Sequence, residues 1–234
     1  MFTGLVREVG TLRGMTTRSG VVRLEIGAPK LAARLAVGDS VAVDGICLTV
    51  TGLKQGVFTV DAATETRRLT TLKDWRGGRR LHLEPALRVG DPLDGHLVQG
   101  HVDGVGEVVG VRRTGGDLLV TIALAADLAR FLTPKGSVAV DGVSLTVDEG
   151  PFTSRFTVNL IPYTLKDTCF AGIRSGRRVN LEMDVLVKAA RSGSLANLPA
   201  VGDAGAPVHE PSTGWTLERL LSRGFGRTRN RGSR

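Results

Sequence analysis

The chain has 234 residues, enough for one large domain or two small ones, and most of its net charge of +8 lies after residue 187, where eight basic residues meet three acidic ones. Hydrophobic residues at 41% and charged residues at 23% exclude wholesale disorder, and no apolar run nears the ~18 residues of a membrane-spanning helix. Two cysteines cannot frame a disulfide-stapled fold, and residues 1–7 lack a basic-then-apolar leader, so a cytoplasmic protein with Cys47 and Cys169 as free thiols is expected.

Aromatic residues are only 4%, so the core must come from Val, Leu, Ile and Ala. Short Val- and Thr-rich runs predict strands over residues 21–26, 40–43, 47–51, 57–60 and 81–84, with Asp44-Gly45 as a hairpin turn. Residues 31–35 and 64–72 predict short helices, and residues 89–95 read as a turn-rich linker. Beyond it, Gly100 to Gly106 reads as a turn, residues 118–124 as a strand, and residues 127–132 and 162–170 as helical pieces around a second Asp141-Gly142 turn. Residues 189–211 have no periodicity and read as loosely packed. A short amphipathic helix is expected over residues 216–223, stopped by Gly224, before a basic end over residues 227–234.

The chain repeats itself. Residues 40–50 and 137–147 agree at nine of eleven positions. Phe58-Thr59-Val60-Asp61 matches Phe156-Thr157-Val158-Asn159, and Arg79-Arg80-Leu81-His82-Leu83-Glu84 matches Arg177-Arg178-Val179-Asn180-Leu181-Glu182. Gly4-Leu5-Val6 likewise faces Gly100-His101-Val102. Two copies at so long a spacing mean tandem domains rather than a solenoid. The expected architecture is all-β: two tandem six-stranded, Greek-key-like barrels with short helices, over residues 1–95 and 96–188, then a flexible insertion, short helix and basic tail over residues 189–234.

Common enzyme motifs are absent. His82, His96, His101 and His209 show no metal-ligand spacing, and neither a dinucleotide fingerprint nor a Gly-x-Ser-x-Gly elbow occurs. Places where the copies differ are the better guide: Cys47 becomes Ser144, Leu5 becomes His101 and Gly38 becomes Lys135. A cysteine in a Val-rich strand is a core residue as readily as a reactive one.

Met1-Phe2-Thr3-Gly4-Leu5-Val6, Gly45-x-Cys47-Leu48-Thr49-Val50, Gly100-His101-Val102, Asp141-Gly142-x-Ser144-Leu145-Thr146-Val147 and Asn159-Leu160-Ile161-Pro162-x-Thr164-Leu165 together resemble the riboflavin synthase family, α-chain type, from Met1 to about Lys188. That resemblance implies a homotrimer with each active site between barrels of neighbouring subunits. It implies a dismutation of two 6,7-dimethyl-8-ribityllumazine molecules, by four-carbon transfer, to riboflavin and 5-amino-6-ribitylamino-uracil, with no metal or cofactor. An association with lumazine synthase is also implied. Under it, Gly4, Leu5, Val6, Cys47, Leu48, Thr49, Asp61, Ala62, Ala63, Thr64, Glu65 and Thr66 line a first pocket, closed by Gly100, His101 and Val102. Lys135, Ser144, Leu145, Thr146, Asn159, Leu160, Ile161, Pro162, Tyr163 and Thr164 line a second. Phe2 positions the ring, His101 transfers a proton, Cys47 and Ser40 activate or add a nucleophile, and Asp184 accepts a proton or orients a hydroxyl.

The family's acid is usually followed by a trimer-building helix, and here residues 184–188 read as breaking into the loose segment, with that helix displaced to about residues 215–223. A non-catalytic lumazine- or flavin-binding accessory protein of the same fold is the alternative. A nucleic-acid binder fits poorly, because the excess charge lies outside the repeats and aromatics for stacking are few.

Overall fold

A computed structural model describes residues 1–191 other than Ser19. The expectations for residues 192–234, including the displaced helix and the basic end, lie outside the described residues.

The first copy forms strands β1 (Glu8–Arg18), β2 (Val21–Gly27), β3 (Ser40–Val43), β4 (Ile46–Lys54), β5 (Val57–Ala63) and β6 (Arg80–Pro85). They close into an antiparallel barrel in the order β1-β2-β5-β4-β3-β6. The second copy repeats the plan with β7 (Gly104–Thr114), β8 (Asp117–Ala123), β9 (Ser137–Val140), β10 (Val143–Thr146), β11 (Arg155–Leu160) and β12 (Arg178–Met183). Its sheet runs β10-β9-β12-β7-β8-β11. The β10–β11 seam carries a single bridge, Val147 to Val158, extended by Asp148 N–H to the Thr157 carbonyl at 2.8 Å and Thr157 N–H to the Glu149 carbonyl at 2.9 Å. The second barrel therefore closes through fewer bonds than the first. Gly150-Pro151 follows β10 where β4 continues to Lys54, and proline has no N–H to extend the ladder.

Alternation builds both cores. Val22, Leu24 and Ile26 point inward along β2, as Leu118, Val120 and Ile122 do along β8. Few aromatics are needed: Phe58 and Trp75 fill the first core, Phe156 and Phe170 the second. Short helices α1 (Pro29–Ala32), α2 (Thr64–Leu69), α3 (Ala126–Ala129) and α4 (Pro162–Asp167) recur at matching places. The single helix expected over residues 64–72 breaks at extended Thr70, whose hydroxyl donates to the Thr66 carbonyl at 2.7 Å and accepts from Leu72 N–H at 3.2 Å, capping a 3-10 turn. Thr168 repeats the break in the second copy.

Two further expectations are corrected. Gly104 and Gly106, read as part of a turn, open β7. The glycine lets the strand pack closely, since a side chain at Gly106 would start 2.8 Å from both Ile122 and Leu181. Residues 184–191 do not break after the acid: α5 (Val185–Arg191) follows Asp184 directly, with the Asp184 carboxylate accepting Leu186 N–H at 2.8 Å at its start. The alanines that looked featureless are good helix formers.

The Asp44-Gly45 and Asp141-Gly142 turns lie back to back. All four residues have positive φ, and a Cβ on Gly45 would sit 2.7 Å from the Gly142 nitrogen, so only glycine fits there. Each turn is tied to its own barrel by an arginine, Arg79 to Asp44 at 2.9 Å and Arg177 to Asp141 at 2.8 Å. This seam fixes the two barrel mouths relative to one another.

Candidate active site

The site starts from an exchange of arms. Phe2 and Val98 pair across the molecule, with N–H to carbonyl distances of 2.7 and 3.1 Å, and both are fully buried. Beyond that pair each arm continues along the opposite barrel. Ser144 N–H donates to the Gly4 carbonyl at 2.8 Å, and Cys47 N–H donates to the Gly100 carbonyl at 2.9 Å. Val6 packs against the second core and Val102 against the first.

Two buried glutamates turn the arms. Glu84 accepts from Thr3 N–H at 2.7 Å, the Thr3 hydroxyl at 2.7 Å and Gly4 N–H at 2.9 Å. Glu182 accepts from Gln99 N–H at 2.6 Å and Gly100 N–H at 2.9 Å. Burial pushes both carboxyls above their ordinary value, and the donated hydrogen bonds pull them back. These glutamates were missed as site residues. The signal was available: an identical acid closes both matching blocks in otherwise apolar strands.

The exchange corrects one grouping. Gly4, Leu5 and Val6, expected in the first pocket, belong to the arm beside Ser144 on the second barrel, while Gly100 and Val102 lie against the first barrel. A register-bound strand cannot show this, because the pairing joins residues almost a hundred positions apart.

At the first barrel the outer wall carries the polar groups. Ser40 pairs with Thr49, and Thr49 with Asp61, across adjacent strands. Cys47 is half-buried on the same face, and His101 is exposed beside Gly100. Burial raises the Cys47 thiol, opposed in part by the chain's N-terminal charge and the Ser40 hydroxyl, so it stays protonated at neutral pH. Arg23 grips Asp61 by two contacts of 2.8 Å and lowers its carboxyl. Ala63, Thr64 and Glu65 are exposed and Thr66 half-buried where β5 enters α2, with Glu65 held by Arg68 at 2.6 Å. The Thr64 hydroxyl donates to the Gly20 carbonyl.

At the second barrel, Ser144 occupies the place of Cys47, and Thr146 and Asn159 are exposed on the same outer face. The Asn159 amide donates to Asp117 at 2.7 Å. Lys135 adopts a left-handed conformation, φ 61°, where the first copy has Gly38, and its ammonium pairs with Asp148 at 2.8 Å. Ile161 and Tyr163 are 50% and 71% exposed, and Pro162 and Thr164 lie beside them in α4.

Leu48, Ala62, Leu145 and Leu160, named as lining residues, turn their side chains into the barrel cores. Strand alternation decides this: their neighbours point outward, so only main-chain groups of these four can meet a ligand. One histidine weighed only as a metal ligand stands in the site. His96 is buried with Nδ1 2.7 Å from the Ser144 hydroxyl. Nothing in the matching blocks marks it. Among the described residues, no group of three or more His, Cys, Asp or Glu side chains is placed to hold a metal ion.

The lumazine binding domain family matches twice, over residues 3–86 and 99–184. Riboflavin synthase of Mycobacterium tuberculosis (strain ATCC 25618 / H37Rv) is 43% identical over 191 residues, covering 80% of this chain and 95% of that one. The chain belongs to the riboflavin synthase family. Riboflavin synthase of Bacillus subtilis is 38% identical over 188 residues, covering 80% of this chain and 87% of that one. That of Actinobacillus pleuropneumoniae is 33% identical over 225 residues, covering 96% and 100%. Among solved structures, LumP complexed with riboflavin superposes with a TM-score of 0.72 at 25% identity, covering 78% of this chain and 99% of that one. LumP complexed with 6,7-dimethyl-8-(1'-D-ribityl) lumazine gives 0.71 at 22% identity with the same coverage, and shows likeness of fold alone.

Proposed function

We propose that this chain makes riboflavin by dismutation of two molecules of 6,7-dimethyl-8-ribityllumazine. One molecule transfers a four-carbon unit to the other, giving riboflavin and 5-amino-6-ribitylamino-uracil. The observation that carries the reading is the pair of lumazine-binding repeats in a chain 43% identical to a riboflavin synthase over 95% of that enzyme. The geometry supports it. A reaction between two copies of one substrate needs two related pockets, and the barrels supply them. One ring must give carbons and the other receive them, so the pockets must differ. They do, with a thiol at Cys47 and a hydroxyl at Ser144 in equivalent positions.

Holding both rings in place converts a bimolecular encounter into an oriented one, a gain reaching about 7–11 kcal/mol in well-aligned systems. The proposed roles follow from placement. Phe2, at the crossing of the arms, fixes the substrate side of the seam. His101, exposed at the first pocket, removes a proton from the donor's C7 methyl group. Cys47 and Ser40 stabilise the group that adds to the other ring. Asp184 orients a hydroxyl at the second pocket. Asp61 to Thr66, and Asn159 to Thr164, bind the heterocycle edge and the ribityl chain through main-chain groups and hydroxyls.

Residues 1–95 and 96–188 are proposed as separate lumazine-binding domains of a cytoplasmic homotrimer, in which pockets of neighbouring subunits meet. The exposed Ile161 and Tyr163 at the second rim support such a contact. Association with lumazine synthase is proposed with it.

The test is product formation. Purified protein mixed with 6,7-dimethyl-8-ribityllumazine yields riboflavin, read by absorbance and fluorescence. Cys47→Ser and His101→Gln each lose turnover while keeping the native unfolding midpoint. Tight binding without product by the parent chain would instead assign the accessory-protein reading.

A further inference from the structure

His96 lies between the barrels and reaches into the second one. Its main-chain N–H donates to the Thr3 carbonyl at 3.1 Å, which seats it on the first copy's arm. The residue is 8% exposed, with Nδ1 2.7 Å from the Ser144 hydroxyl oxygen. Nε2 is buried and has no hydrogen-bond partner among the described residues. A buried ring nitrogen without a partner is uncommon and calls for a reason.

Burial pushes the imidazole below its ordinary value, against the Asp184 charge, so the ring stays neutral at neutral pH. A neutral imidazole carries one N–H, and a serine hydroxyl can give or take a hydrogen bond, so Nδ1 pairs with Ser144 in either tautomer.

We propose that His96 is a positioning residue of the second pocket: its Nδ1, 2.7 Å from the Ser144 oxygen, holds that hydroxyl in one orientation toward the bound ligand. Cys47 in the first pocket has no imidazole bonded to it among the described residues, so the two pockets read the same heterocycle differently. The proposal rests on the lumazine reading above and assigns the specificity of its second pocket.

The experiment uses the full chain and four variants: Ser144→Ala, His96→Ala, His96→Asn and His96→Ala with Ser144→Ala. Asparagine keeps an amide that can hold the Ser144 hydroxyl from near the Nδ1 position, whereas alanine removes it. His96→Ala is expected to lower kcat/KM about tenfold, the size of one lost hydrogen bond. His96→Asn should recover most of that loss. The double variant should be no worse than Ser144→Ala, because His96 acts through that hydroxyl. Losses that multiply, an asparagine variant as poor as alanine, or a His96→Ala variant with parental kcat and KM would each overturn the proposal. Titration with 6,7-dimethyl-8-ribityllumazine, followed by its own fluorescence, keeps the test alive without turnover. If the parent chain binds but makes no riboflavin, the enzymatic reading fails. Weaker binding by His96→Ala, restored in His96→Asn, would still support the role of His96, and unchanged binding would refute it.

Discussion

His82 and Asn180 hold equivalent places on the two barrels and make equivalent bonds across the seam. His82 Nδ1 lies 3.0 Å from the Asp141 carbonyl, and its Nε2 accepts Cys169 N–H at 2.8 Å. Asn180 donates to the Asp44 carbonyl at 2.8 Å and accepts Thr71 N–H at 2.8 Å. Each side chain gives one hydrogen bond to the opposite turn and takes one from an opposite 3-10 segment. The imidazole is therefore neutral with its proton on Nδ1, since Nε2 must accept.

This equivalence predicts the outcome of exchange. His82→Asn should keep the seam and change stability by less than about 1 kcal/mol, whereas His82→Leu strands a buried carbonyl and a buried N–H and should cost about 2–4 kcal/mol. Urea unfolding midpoints at constant slope measure both.

The crossing arms leave no room for side chains. Gly100 has φ 78°, and a Cβ there would lie 2.5 Å from Cys47 Cβ; at Gly4 it would lie 2.6 Å from Ser144 Cβ. Gly4→Ala and Gly100→Ala should each cost at least about 1–3 kcal/mol of stability from backbone strain alone. Turnover should fall further than stability does, because each change displaces the main chain beneath a reactive side chain. Thermal unfolding and kcat on the same samples check this.

Buried His96 sets a pH dependence. Its imidazole lies below its ordinary value in the folded chain, so the unfolded chain takes up the proton first on acidification. Its contribution to stability is complete above about pH 7.5 and is lost as pH falls through about 6.5 and below. Glu84 and Glu182 work in the opposite sense, because burial raises their carboxyls and they favour the folded state as pH falls. Comparing the parent chain with His96→Asn cancels the glutamates. The variant should show a flatter fall in unfolding free energy between about pH 7.5 and about pH 5.5.

Arg23 grips Asp61 on the outer wall of the first pocket, with its own side chain 57% exposed. Arg23→Ala should leave the unfolding midpoint in place, because exposed pairs add little. It should raise KM with kcat nearly unchanged, because Asp61 loses the partner that fixes its carboxylate at the pocket rim. A KM unchanged by the substitution would remove Asp61 from the binding surface.

Much of this architecture was legible in the repeat. The matching residues 40–50 and 137–147 became the β3–β4 and β9–β10 hairpins, and their Asp-Gly pairs became the turns at the seam. Strands β1 and β7 were not read, because Gly10, Gly14, Gly106 and Gly110 break the apolar alternation that marks a strand. The side-chain direction of Leu48 and Leu145 was available from period two, yet motif matching grouped them with the outward Cys47 and Ser144. The arm exchange depends on the Phe2–Val98 pairing, a contact no local pattern encodes. His96 stayed hidden for the same reason: its meaning comes from Ser144, 48 residues away, and not from its neighbours.

The account stands most directly on the stoichiometry of a single incubation. Purified chain is given a known quantity of 6,7-dimethyl-8-ribityllumazine, and substrate, riboflavin and 5-amino-6-ribitylamino-uracil are quantified over time. The dismutation predicts two substrates consumed for each riboflavin and each pyrimidine formed. Binding without consumption, or riboflavin formed without an equal amount of the pyrimidine, would contradict it.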